Sequence, residues 1–329
     1  MILDGASPAS VAQAAAAIAR GELVAFPTET VYGLGADATA DAAVAGIFAA
    51  KGRPSDHPLI VHLPEAGAAG AFAAAVPAFA AALMQAFWPG PLTLILPRRA
   101  GVAGGAAGGQ TSIGLRCPAH PVAHAFLLAC QAAGVPGVAG PSANRFGRVS
   151  PTTAAHVQSE FGDGLLVLDG GPCRVGIEST IIDCTRAQPV LLRPGMLTAA
   201  QIEQACGQRV LLPAELDSAA PRAAGTLESH YAPNAKVRLM DARALQTALD
   251  VLGEDATGIA TWSRAILRTR SSRVLRRRMP DDASETARQL FAVLREFDAQ
   301  GVKLIWVETP PAEAEWDGVR DRLQRAAAS

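Results

Sequence analysis

The sequence predicts an α/β protein of two domains, and three observations carry this prediction. The chain has 329 residues, which is enough for two domains at roughly 150 residues each. Helical and strand-like apolar patterns alternate over the first two hundred residues, as they do in layered α/β architectures. Residues 212–233, with three Pro and few large apolar side chains, then interrupt the alternation before it resumes.

Apolar periodicity and capping residues locate the elements of the first domain. Ser150 is predicted to cap a helix with Pro151 at its first position, because Ser favours the N-cap and Pro the first turn. The predicted helices cover 10–20, 41–50, two short Ala-rich stretches within 66–87, 121–133, 150–161 and a short segment from Thr198. The predicted strands cover 22–26, 59–63, 92–96, 112–116, 165–168, 180–184 and 190–193.

The tail repeats the alternation on a smaller scale and predicts a second α/β domain. Its predicted strands are 237–240, 258–261, 274–275 and 304–307, and its clearest helices are 284–300 and 317–328. The helix 284–300 carries apolar side chains at helical spacing along one face. The predicted organisation is therefore a catalytic domain at 1–208, a linker or lid at 209–233 and a small domain at 234–329.

Charge and cysteine usage exclude several classes of protein. Lys plus Arg is 29 and Asp plus Glu is 30, so the chain is not coated in basic residues for nucleic acid. Five Cys without close pairs are no disulfide framework. The longest uncharged run, 66–97, is broken by Gly and Pro and does not predict a membrane span. With no targeting signal at its start, the chain is expected to be cytoplasmic and not to associate with membranes.

The common catalytic signatures are absent, but polar clusters follow several predicted strands. There is no phosphate-binding P-loop, no dinucleotide-binding glycine fingerprint and no nucleophile elbow. His120 and His124 are four residues apart, yet no Glu accompanies them, so they are interpreted as surface or cap residues without a metal. Ligand sites of α/β folds lie at strand ends. The polar clusters occupy 27–35, 51–58, 112–116, 140–150 and 176–180, with 193–195 close to the last.

The chemistry of these clusters favours an anionic ligand. Lys51 and Arg53 bracket a Gly at the end of a predicted helix, where they fit either a phosphate clamp or favourable charge at a helix C-terminus. Arg116 ends a strand and can hold a carboxylate. The cluster 140–150 supplies hydroxyl, amide and backbone groups that suit a nucleotide. Only three Lys stand beside 26 Arg in the chain, which favours a specific need for an ammonium group at Lys51.

Taken in order, these segments resemble the YrdC-like threonylcarbamoyl-AMP synthases. The resemblance covers about residues 8–200 and is carried by PTETVYGLG (27–35), KGRP (51–54), LR (115–116), PSAN (141–144), ESTI (178–181) and RPG (193–195). HYAP at 230–233 and DRLQRAA at 321–327 resemble the two-domain form of the same enzymes. The resemblance implies an open, twisted, mixed sheet with a positively charged cavity, and a smaller C-terminal α/β domain of Rossmann-like type.

The resemblance also implies the reaction. Such enzymes are nucleotidyltransferases that condense L-threonine, bicarbonate and ATP into threonylcarbamoyl-AMP and pyrophosphate, with Mg²⁺ accompanying the ATP. A separate transferase complex then uses the product to modify tRNA. The chemistry agrees with this scheme, since phosphate displacement needs positioning and positive charge, and since a carbamate and a mixed anhydride both require protection from water.

Roles for individual residues follow from the resemblance, position by position. Lys51 and Arg53 are expected to be catalytic by holding the triphosphate. The threonine site is expected to comprise Thr30, His62, Arg116, Gly140 and Ser179. The remaining ATP contacts are expected from His57, Ser112, Ser142, Asn144, Ser150, Arg193 and Tyr231. His57 departs from the family, which usually has Asn there, and its imidazole can titrate near neutral pH. Tyr231 is expected to help close the site.

The sequence leaves two alternative functions open. A non-catalytic RNA-binding protein on the same fold is one, although the near-neutral charge and the complete motif set argue against it. A carbamoyl-transferring domain of hydrogenase maturation is the other, and those domains belong to longer chains with zinc-finger-like Cys clusters that this chain lacks. A run of seven Arg without an acid at 264–278 fits a solvated face, a tRNA contact or a domain-docking surface.

Overall fold

The structure is a computed structural model that describes residues 1–217, 219–225 and 231–328. The described residues form two compact units. The first contains residues 1–146 and 150–225, and the second contains 147–149 and 231–328. The short segment 147–149 thus groups with the second unit although the chain on both sides of it belongs to the first.

Ten strands and six α-helices build the first unit. The strands are β1 (Ile2–Asp4), β2 (Val24–Phe26), β3 (Gly33–Asp37), β4 (Ile60–His62), β5 (Leu92–Pro97), β6 (Ser112–Arg116), β7 (Val138–Ala139), β8 (Leu166–Asp169), β9 (Thr180–Asp183) and β10 (Val190–Arg193). The helices are α1 (Pro8–Ala19), α2 (Asp41–Lys51), α3 (Ala78–Phe87), α4 (Pro121–Ala132), α5 (Ala154–Phe161) and α6 (Ala199–Cys206). Short 3₁₀ turns cover Ala66–Ala71, Gly162–Gly164 and Pro213–Glu215.

The strands form one mixed sheet in the order β1-β8-β2-β3-β7-β4-β6-β5-β9-β10. Parallel pairs such as β4 with β6 and β5 with β9 alternate with antiparallel pairs such as β2 with β3 and β5 with β6. The predicted mixed α/β sheet is therefore confirmed. In the parallel β4–β6 ladder, His62 lies opposite Arg116, so two side chains 54 positions apart in the sequence meet at one strand end.

Both faces of this sheet are covered by apolar side chains. Val24 and Phe26 of β2 belong to one buried cluster together with α1 and α4, whereas Ala25 between them belongs to another cluster with α2 and α3. Because successive strand residues point to opposite faces, this alternation places a core on each side of the sheet. The strand ends that carry the polar clusters are thereby held by a packed framework.

The polar cluster 27–35 after β2 includes a strand that the sequence did not predict. Gly33 and Gly35 lie in β3, which pairs antiparallel with β2. A Cβ at Gly33 would lie 3.0 Å from the Phe26 ring, and one at Gly35 would lie 3.0 Å from Val24 O. These glycines are therefore required by the close approach of a neighbouring strand and its side chain.

The predicted cap of α5 is wrong. The helix begins at Ala154, and Thr153 caps it by accepting a hydrogen bond from His156 N over 3.2 Å. Ser150 instead donates from Oγ to Glu178 Oε1 over 2.5 Å. Local sequence preference favoured Ser150 with Pro151, but a buried carboxylate 28 residues away engages the hydroxyl. The start of α6 is as predicted, because Thr198 and Gln201 form a capping box there.

The second unit is a parallel α/β sheet. Its strands are β11 (Lys236–Met240), β12 (Ile259–Ser263), β13 (Leu275–Arg278) and β14 (Leu304–Glu308), in the order β11-β14-β12-β13. Its helices are α7 (Ala242–Asp250), α8 (Ala283–Ala299) and α9 (Asp317–Ala327). All three strand pairs are parallel, as expected of an α/β domain of this class. No helix among the described residues is long and apolar enough to cross a membrane.

A buried carboxylate, Glu308, ties the strand ends of this second sheet together. Its Oε2 accepts hydrogen bonds from Ser263 Oγ and Arg264 N over 2.7 Å each and from Ala265 N over 3.1 Å. Its Oε1 pairs with the Arg264 guanidinium at 2.6 Å. Burial opposes the ionisation of Glu308, but these hydrogen bonds and the Arg264 charge outweigh it and lower its pKa.

Glu308→Gln is expected to destabilise the second unit by roughly 2 kcal/mol at pH 7, since hydrogen bonds to charged groups contribute about 1.5–3 kcal/mol. A carboxylate with a lowered pKa stabilises the fold above its unfolded pKa, about 4.3, and loses that contribution as the pH falls through the folded pKa. The difference between variant and parent should therefore shrink in acid. Urea unfolding followed by Trp fluorescence measures it, because Trp262, Trp306 and Trp316 all lie in this unit. Exposed Glu313→Gln is the control, and equal stabilities of the two variants would contradict the prediction.

Candidate active site

A buried polar turn follows β2 and begins the candidate site in the first unit. Thr28 Oγ1 donates to Val31 O over 2.6 Å and accepts from the N–H groups of Thr30 and Val31 over 3.2 Å. The carbonyls of Glu29 and Thr30 accept from Val175 N and Gly176 N at 2.7 and 3.1 Å. These bonds satisfy the backbone of the turn and fix the directions of the Glu29 and Thr30 side chains.

Arg116 lies at the centre of this buried region and is 3% exposed. Its Nη2 pairs with Glu29 Oε1 at 2.7 Å, its Nη1 donates to Thr30 Oγ1 over 2.8 Å, and its Nε donates to Gly90 O over 3.3 Å. The other carboxylate oxygen of Glu29 accepts from Ala119 N over 3.1 Å. A guanidinium has five N–H donors. The three contacts therefore orient Arg116 and leave one further donor on each terminal nitrogen for a carboxylate ligand.

His62 lies beside Arg116 and is held neutral. Burial, with a further contribution from the Arg116 charge, lowers the pKa of His62 to about 3. Its ring packs edge-on against Phe26 with centroids 5.3 Å apart. Its Nδ1 is buried and makes no hydrogen bond of normal geometry among the described residues, although the backbones of Val138 and Ile60 partly oppose the lowering of its pKa. An unsatisfied buried nitrogen is costly, so this atom points to a ligand group that completes its hydrogen bonding.

Gly140 is packed directly against His62. A Cβ at Gly140 would lie 3.1 Å from His62 Nδ1 and 3.0 Å from the Phe26 ring, so a larger residue would fill the space beside the imidazole. The Gly140 N–H donates to Ile60 O over 2.9 Å. The N–H is thus used within the sheet, and the contribution of Gly140 is the room that it leaves next to Nδ1.

Lys51 ends α2 and is buried, with 3% exposure. Its Nζ donates to Ser142 O over 2.6 Å and also to Asn144 O. Burial is the main reason that the pKa of Lys51 lies well below its usual value, and the nearby Arg53 charge lowers it further. Gly52 closes the helix at φ 64°, a left-handed conformation that glycine adopts without strain. Lys51 therefore anchors the 142–144 loop and lacks a carboxylate partner among its contacts.

Arg53 and His57 lie in the loop after α2. The Arg53 guanidinium donates to Pro58 O over 3.0 Å and lies 5.8 Å from the centre of the Phe146 ring. His57 packs edge-on against the same ring at 5.5 Å. Burial, then the charges of Arg53 and Arg222, lower the pKa of His57 despite the opposing effect of Asp56. The loop after α2 and the loop that ends at Phe146 thus share one aromatic contact.

Ser179 and Arg193 form a second polar group on the same sheet. Ser179 Oγ is hydrogen-bonded to Thr93 Oγ1 at 2.7 Å, and its carbonyl accepts from Arg193 Nε and Nη2 at 3.1 and 3.0 Å. Ser179 is fully buried and Arg193 is 2% exposed. Ser150 reaches this group through Glu178, the residue before Ser179. The predicted residues 150, 179 and 193 are therefore brought together.

Residues 222–224 of the linker region contact Arg193 and its neighbours in the first unit. Arg193 Nη1 donates to Ala224 O over 2.7 Å, and Arg222 pairs with Asp56 at 2.7 Å. The backbone of Arg222 also exchanges two hydrogen bonds with the Gln110 side chain, of 2.9 and 3.2 Å. A small cavity of about 10 Å³ remains underneath, lined on the sheet side by Thr93, Ser112, Gly114 and Ile181. Ser112 is consequently buried in this arrangement.

Tyr231 belongs to the second unit and is 1% exposed. Its ring lies 5.4 Å from that of Phe291, and the Arg322 guanidinium lies 5.3 Å from its centre. Its φ of 61° is unusual for a residue with a side chain. His230, which precedes it in the HYAP motif, lies outside the described residues.

Sequence reasoning missed three residues of the site. Glu29 was seen only as part of a polar cluster, Thr93 as part of an apolar strand, and Arg222 as part of the linker. A carboxylate between two Thr directly after a buried strand was the available signal for Glu29. Thr93 and Arg222 carry no local signal, because their partners Ser179 and Asp56 lie 86 and 166 positions away in the sequence.

The cations of the site suit an anionic ligand. The cations Arg116, Lys51, Arg53 and Arg193 outnumber the two carboxylates, Glu29 and Glu178, of which Glu29 is paired with Arg116. Within the described ranges, no group of three or more His, Cys, Asp or Glu side chains is placed to hold a metal. A divalent ion would therefore have to be held chiefly by oxygen atoms of a ligand, as Mg²⁺ is when it bridges phosphates.

A mixed sheet with buried cations and a neutral imidazole near its strand ends defines the first unit as an α/β domain, and a small parallel α/β domain follows it in the chain. Residues 16–195 match the Sua5/YciO/YrdC family model, which carries the description Telomere recombination. Residues 197–328 match the model described as Threonylcarbamoyl-AMP synthase, C-terminal domain. The chain belongs to this Sua5/YciO/YrdC family, in its two-domain form.

Similar proteins match over nearly the whole chain. The threonylcarbamoyl-AMP synthase of Pyrococcus abyssi is 38% identical over 324 residues, which cover 95% of this chain and 92% of that protein. The threonylcarbamoyl-AMP synthase of Bacillus subtilis is 37% identical over 330 residues, covering 96% and 92%. The crystal structure of P. abyssi Sua5 complexed with L-threonine superposes with a TM-score of 0.88 and 36% identity over 98% of this chain and 95% of that chain.

Proposed function

We propose that this protein synthesises threonylcarbamoyl-AMP and pyrophosphate from L-threonine, bicarbonate and ATP, and that it is a nucleotidyltransferase. Two observations support the proposal: the chain belongs to this family, and two relatives that match more than nine-tenths of it are named threonylcarbamoyl-AMP synthase. The structural observation that carries it is the buried Arg116, held by Glu29 and Thr30 beside the unsatisfied Nδ1 of His62. These groups suit a small zwitterion with a carboxylate and additional hydrogen-bonding groups.

The threonine end of the reaction is assigned to this buried group. The two further N–H donors of Arg116 suit a bidentate contact with the threonine carboxylate. His62, being neutral, can accept a hydrogen bond from the ammonium or hydroxyl group, and Gly140 leaves space beside it. Glu29 balances the charge of Arg116, so that a zwitterionic amino acid enters a site close to neutrality. We assign Thr30 and Ser179 to the walls of this pocket.

The ATP end is assigned to the cations and hydroxyls of the loops. Lys51 and Arg53 would hold the triphosphate, while His57, Ser112, Ser142, Asn144, Ser150, Arg193 and Tyr231 would contact the nucleotide. Mg²⁺ would enter with ATP beside Lys51 and Arg53 and would add positive charge near the triphosphate that they hold. Negative phosphates next to Lys51 would favour its charged form and so offset the effect of burial on its pKa.

Catalysis by these residues is chiefly positioning and charge. The carbamate oxygen of carboxylated threonine attacks the α-phosphorus, the bond to the pyrophosphate oxygen breaks, and pyrophosphate leaves with the electron pair. The cations stabilise the charge that moves onto the phosphates. The segment 222–225, which covers Ser112 and contacts Arg193, would limit access of water to the carbamate and the mixed anhydride. The product would pass to a tRNA-modifying transferase complex in the cytoplasm.

The test is direct. Purified protein is incubated with Mg²⁺-ATP, bicarbonate and L-threonine, and pyrophosphate and threonylcarbamoyl-AMP are quantified. Formation of both in equal amounts, dependent on threonine and on bicarbonate, is the expected result. Folded protein that binds RNA but forms neither product would contradict the proposal and favour the non-catalytic alternative.

His57→Asn is expected to leave the rate unchanged at and above pH 7 and to alter it only in acid. Because the pKa of His57 is lowered from its usual 6.5, the imidazole is already neutral at pH 7 and then differs little in charge from Asn. Below pH 6, protonation of His57 beside Arg53 should change the parent rate but not that of the variant. Rates from pH 5 to 8 at saturating ATP measure this effect. Superimposable profiles across the whole range would show that His57 does not titrate in the site.

The role of Tyr231 is tested by comparing the parent protein with the Tyr231→Phe variant. We propose that it helps close the site, but its ring also packs with Phe291 and Arg322 in the second unit. Tyr231→Phe keeps this packing and removes only the hydroxyl, so it separates a contact with nucleotide from a contribution to stability.

A further inference from the structure

The last three Arg of the run 264–278, Arg276 to Arg278, line one side of a cleft in the second unit. The cleft has a volume of about 320 Å³ and is bounded by Thr261, Ser263, the loop 265–267 and Arg276 to Arg278. It lies along β12 and β13, which run parallel with Thr261 opposite Arg276 and Ser263 opposite Arg278. The loop 264–274 leaves the carboxyl end of β12. Clefts at the carboxyl ends of parallel strands are the usual ligand sites of such folds.

The segment 264–278 is strongly positive, whereas the rest of the protein is negative. The segment 264–278 carries seven Arg and no acid, whereas the whole chain carries −1 at pH 7. The other 314 residues together therefore carry −8. Since Arg is abundant throughout the chain, the decisive feature is density, because seven Arg fall within fifteen residues with no Asp or Glu between them.

Folding does not neutralise the run. Arg264 pairs with the buried Glu308, and Arg277 and Arg278 pair with the exposed acids Glu296 and Asp281. Four more guanidinium groups have no carboxylate within ion-pair distance among the described residues, and all four are exposed: Arg268, Arg270, Arg273 and Arg276. Arg276 donates only to Leu267 O, at 3.1 Å. A positive surface thus persists along the loop and the edge strand.

The arrangement of these cations indicates the kind of ligand. A site for one phosphate or one nucleotide needs donors that converge on a point. A convergent set of donors at these strand ends, formed by Ser263 Oγ, Arg264 N and Ala265 N, is already filled by the carboxylate of Glu308. The four Arg without acidic partners are instead spread over a loop and a strand, beside hydroxyl groups and an Ile266 that is 88% exposed. Dispersed exposed cations suit a ligand with repeated negative charges.

We propose that this surface, defined by Arg268, Arg270, Arg273 and Arg276, binds the phosphodiester backbone of RNA. It is a binding function of the second unit, separate from the synthesis assigned to the first. The proposed function bears on it only in favouring RNA over DNA, since the product of the reaction is used on tRNA. No base-reading group is assigned, because the exposed cations contact phosphates without regard to sequence.

The experiment compares two variants of equal charge. Arg268, Arg270, Arg273 and Arg276 are replaced together by Gln in the full chain, and in the matched control the exposed Arg20, Arg99, Arg209 and Arg243 are replaced by Gln. Binding of a fluorescein-labelled RNA hairpin is measured by anisotropy from 50 to 200 mM salt, beside a DNA hairpin of the same sequence and with poly-L-glutamate as competitor. Threonylcarbamoyl-AMP synthesis by each variant checks that the chain is folded, since none of the eight residues belongs to the proposed site.

The surface variant is expected to lose at least tenfold in RNA affinity at 50 mM salt, while the control stays within twofold of the parent. Each lost phosphate contact removes about 0.7–0.9 from the slope of log K against log salt, so four contacts should flatten the slope by roughly 3. Equal RNA affinities of the two variants would overturn the proposal, as would absence of RNA binding by the parent at 50 mM salt. DNA binding as tight as RNA binding, or displacement of RNA by equimolar poly-L-glutamate, would reassign the surface to another polyanion.

Discussion

Arg116→Gln is expected to slow threonylcarbamoyl-AMP formation strongly and also to destabilise the first unit. The variant loses the donors assigned to the threonine carboxylate, which lowers kcat/KM for threonine by about 10²- to 10³-fold on the scale of 2–5 kcal/mol for a truncated buried charge contact. It also leaves the buried Glu29 without its 2.7 Å partner. Removal of one member of a buried ion pair costs about 3–5 kcal/mol of stability. Turnover with varied threonine and urea unfolding measure the two effects.

A double variant separates these effects. Glu29→Gln combined with Arg116→Gln removes both buried charges and keeps groups that can hydrogen-bond to each other, so most of the stability should return. Activity should not return, because the carboxylate-binding guanidinium is still missing. A double variant that is stable and has the parental KM for threonine would refute the assignment. Glu29→Gln alone keeps the guanidinium and should raise KM for threonine more than KM for ATP.

Lys51→Met is expected to lower kcat/KM for ATP by about 10²- to 10³-fold while threonine affinity changes less than twofold. Met retains the length and packing of the buried side chain but removes its charge and its bonds to Ser142 O and Asn144 O. The loss is of the size expected when a preorganised charge at the transferring phosphate is removed. Initial rates at varied ATP, with calorimetric titration of threonine, provide the measurement.

The affinities of the Lys51→Met variant for ATP and for AMP distinguish a contact with the triphosphate from a role in anchoring the 142–144 loop. If Lys51 holds the triphosphate, the variant should bind ATP much more weakly but bind AMP nearly as the parent does. If Lys51 only anchors the 142–144 loop, both affinities should fall together, and the phosphate role would be rejected. Exposed Lys236→Met is the control for loss of a lysine, since Lys236 lies in the second unit.

Arg116 and Glu29 show which parts of the candidate site can be predicted from the sequence and which cannot. Arg116 was predicted as a carboxylate ligand from its place at the end of an apolar strand, and the strand has the predicted bounds. Glu29 was not predicted as its partner, because the pair is separated by 87 positions. Only the strand order places the end of β2 and the end of β6 on one surface. The Ser150 cap failed for the same reason, since a tertiary contact to Glu178 outweighed a local preference.

The His62–Arg116 pair also depends on register. Both residues end short strands in the sequence, but their juxtaposition needs β4 and β6 to pair in parallel with these two residues opposite each other. A slip of one position would turn one side chain to the other face of the sheet. The lowered pKa of His62 follows from that register and from burial, so it could not be inferred from residue type.

The sequence by itself determined the alternation of helices and strands, the break near residues 212–233 and the polar clusters at strand ends, because these are set by residue periodicity, by Gly and Pro, and by neighbours within a few positions. It also determined the seven-Arg run. The tertiary structure alone decided which clusters meet, which charges are buried against a partner, and which cations of the run have no carboxylate partner among the described residues. Those outcomes depend on strand order, register and burial, which arise from contacts between residues far apart in the chain.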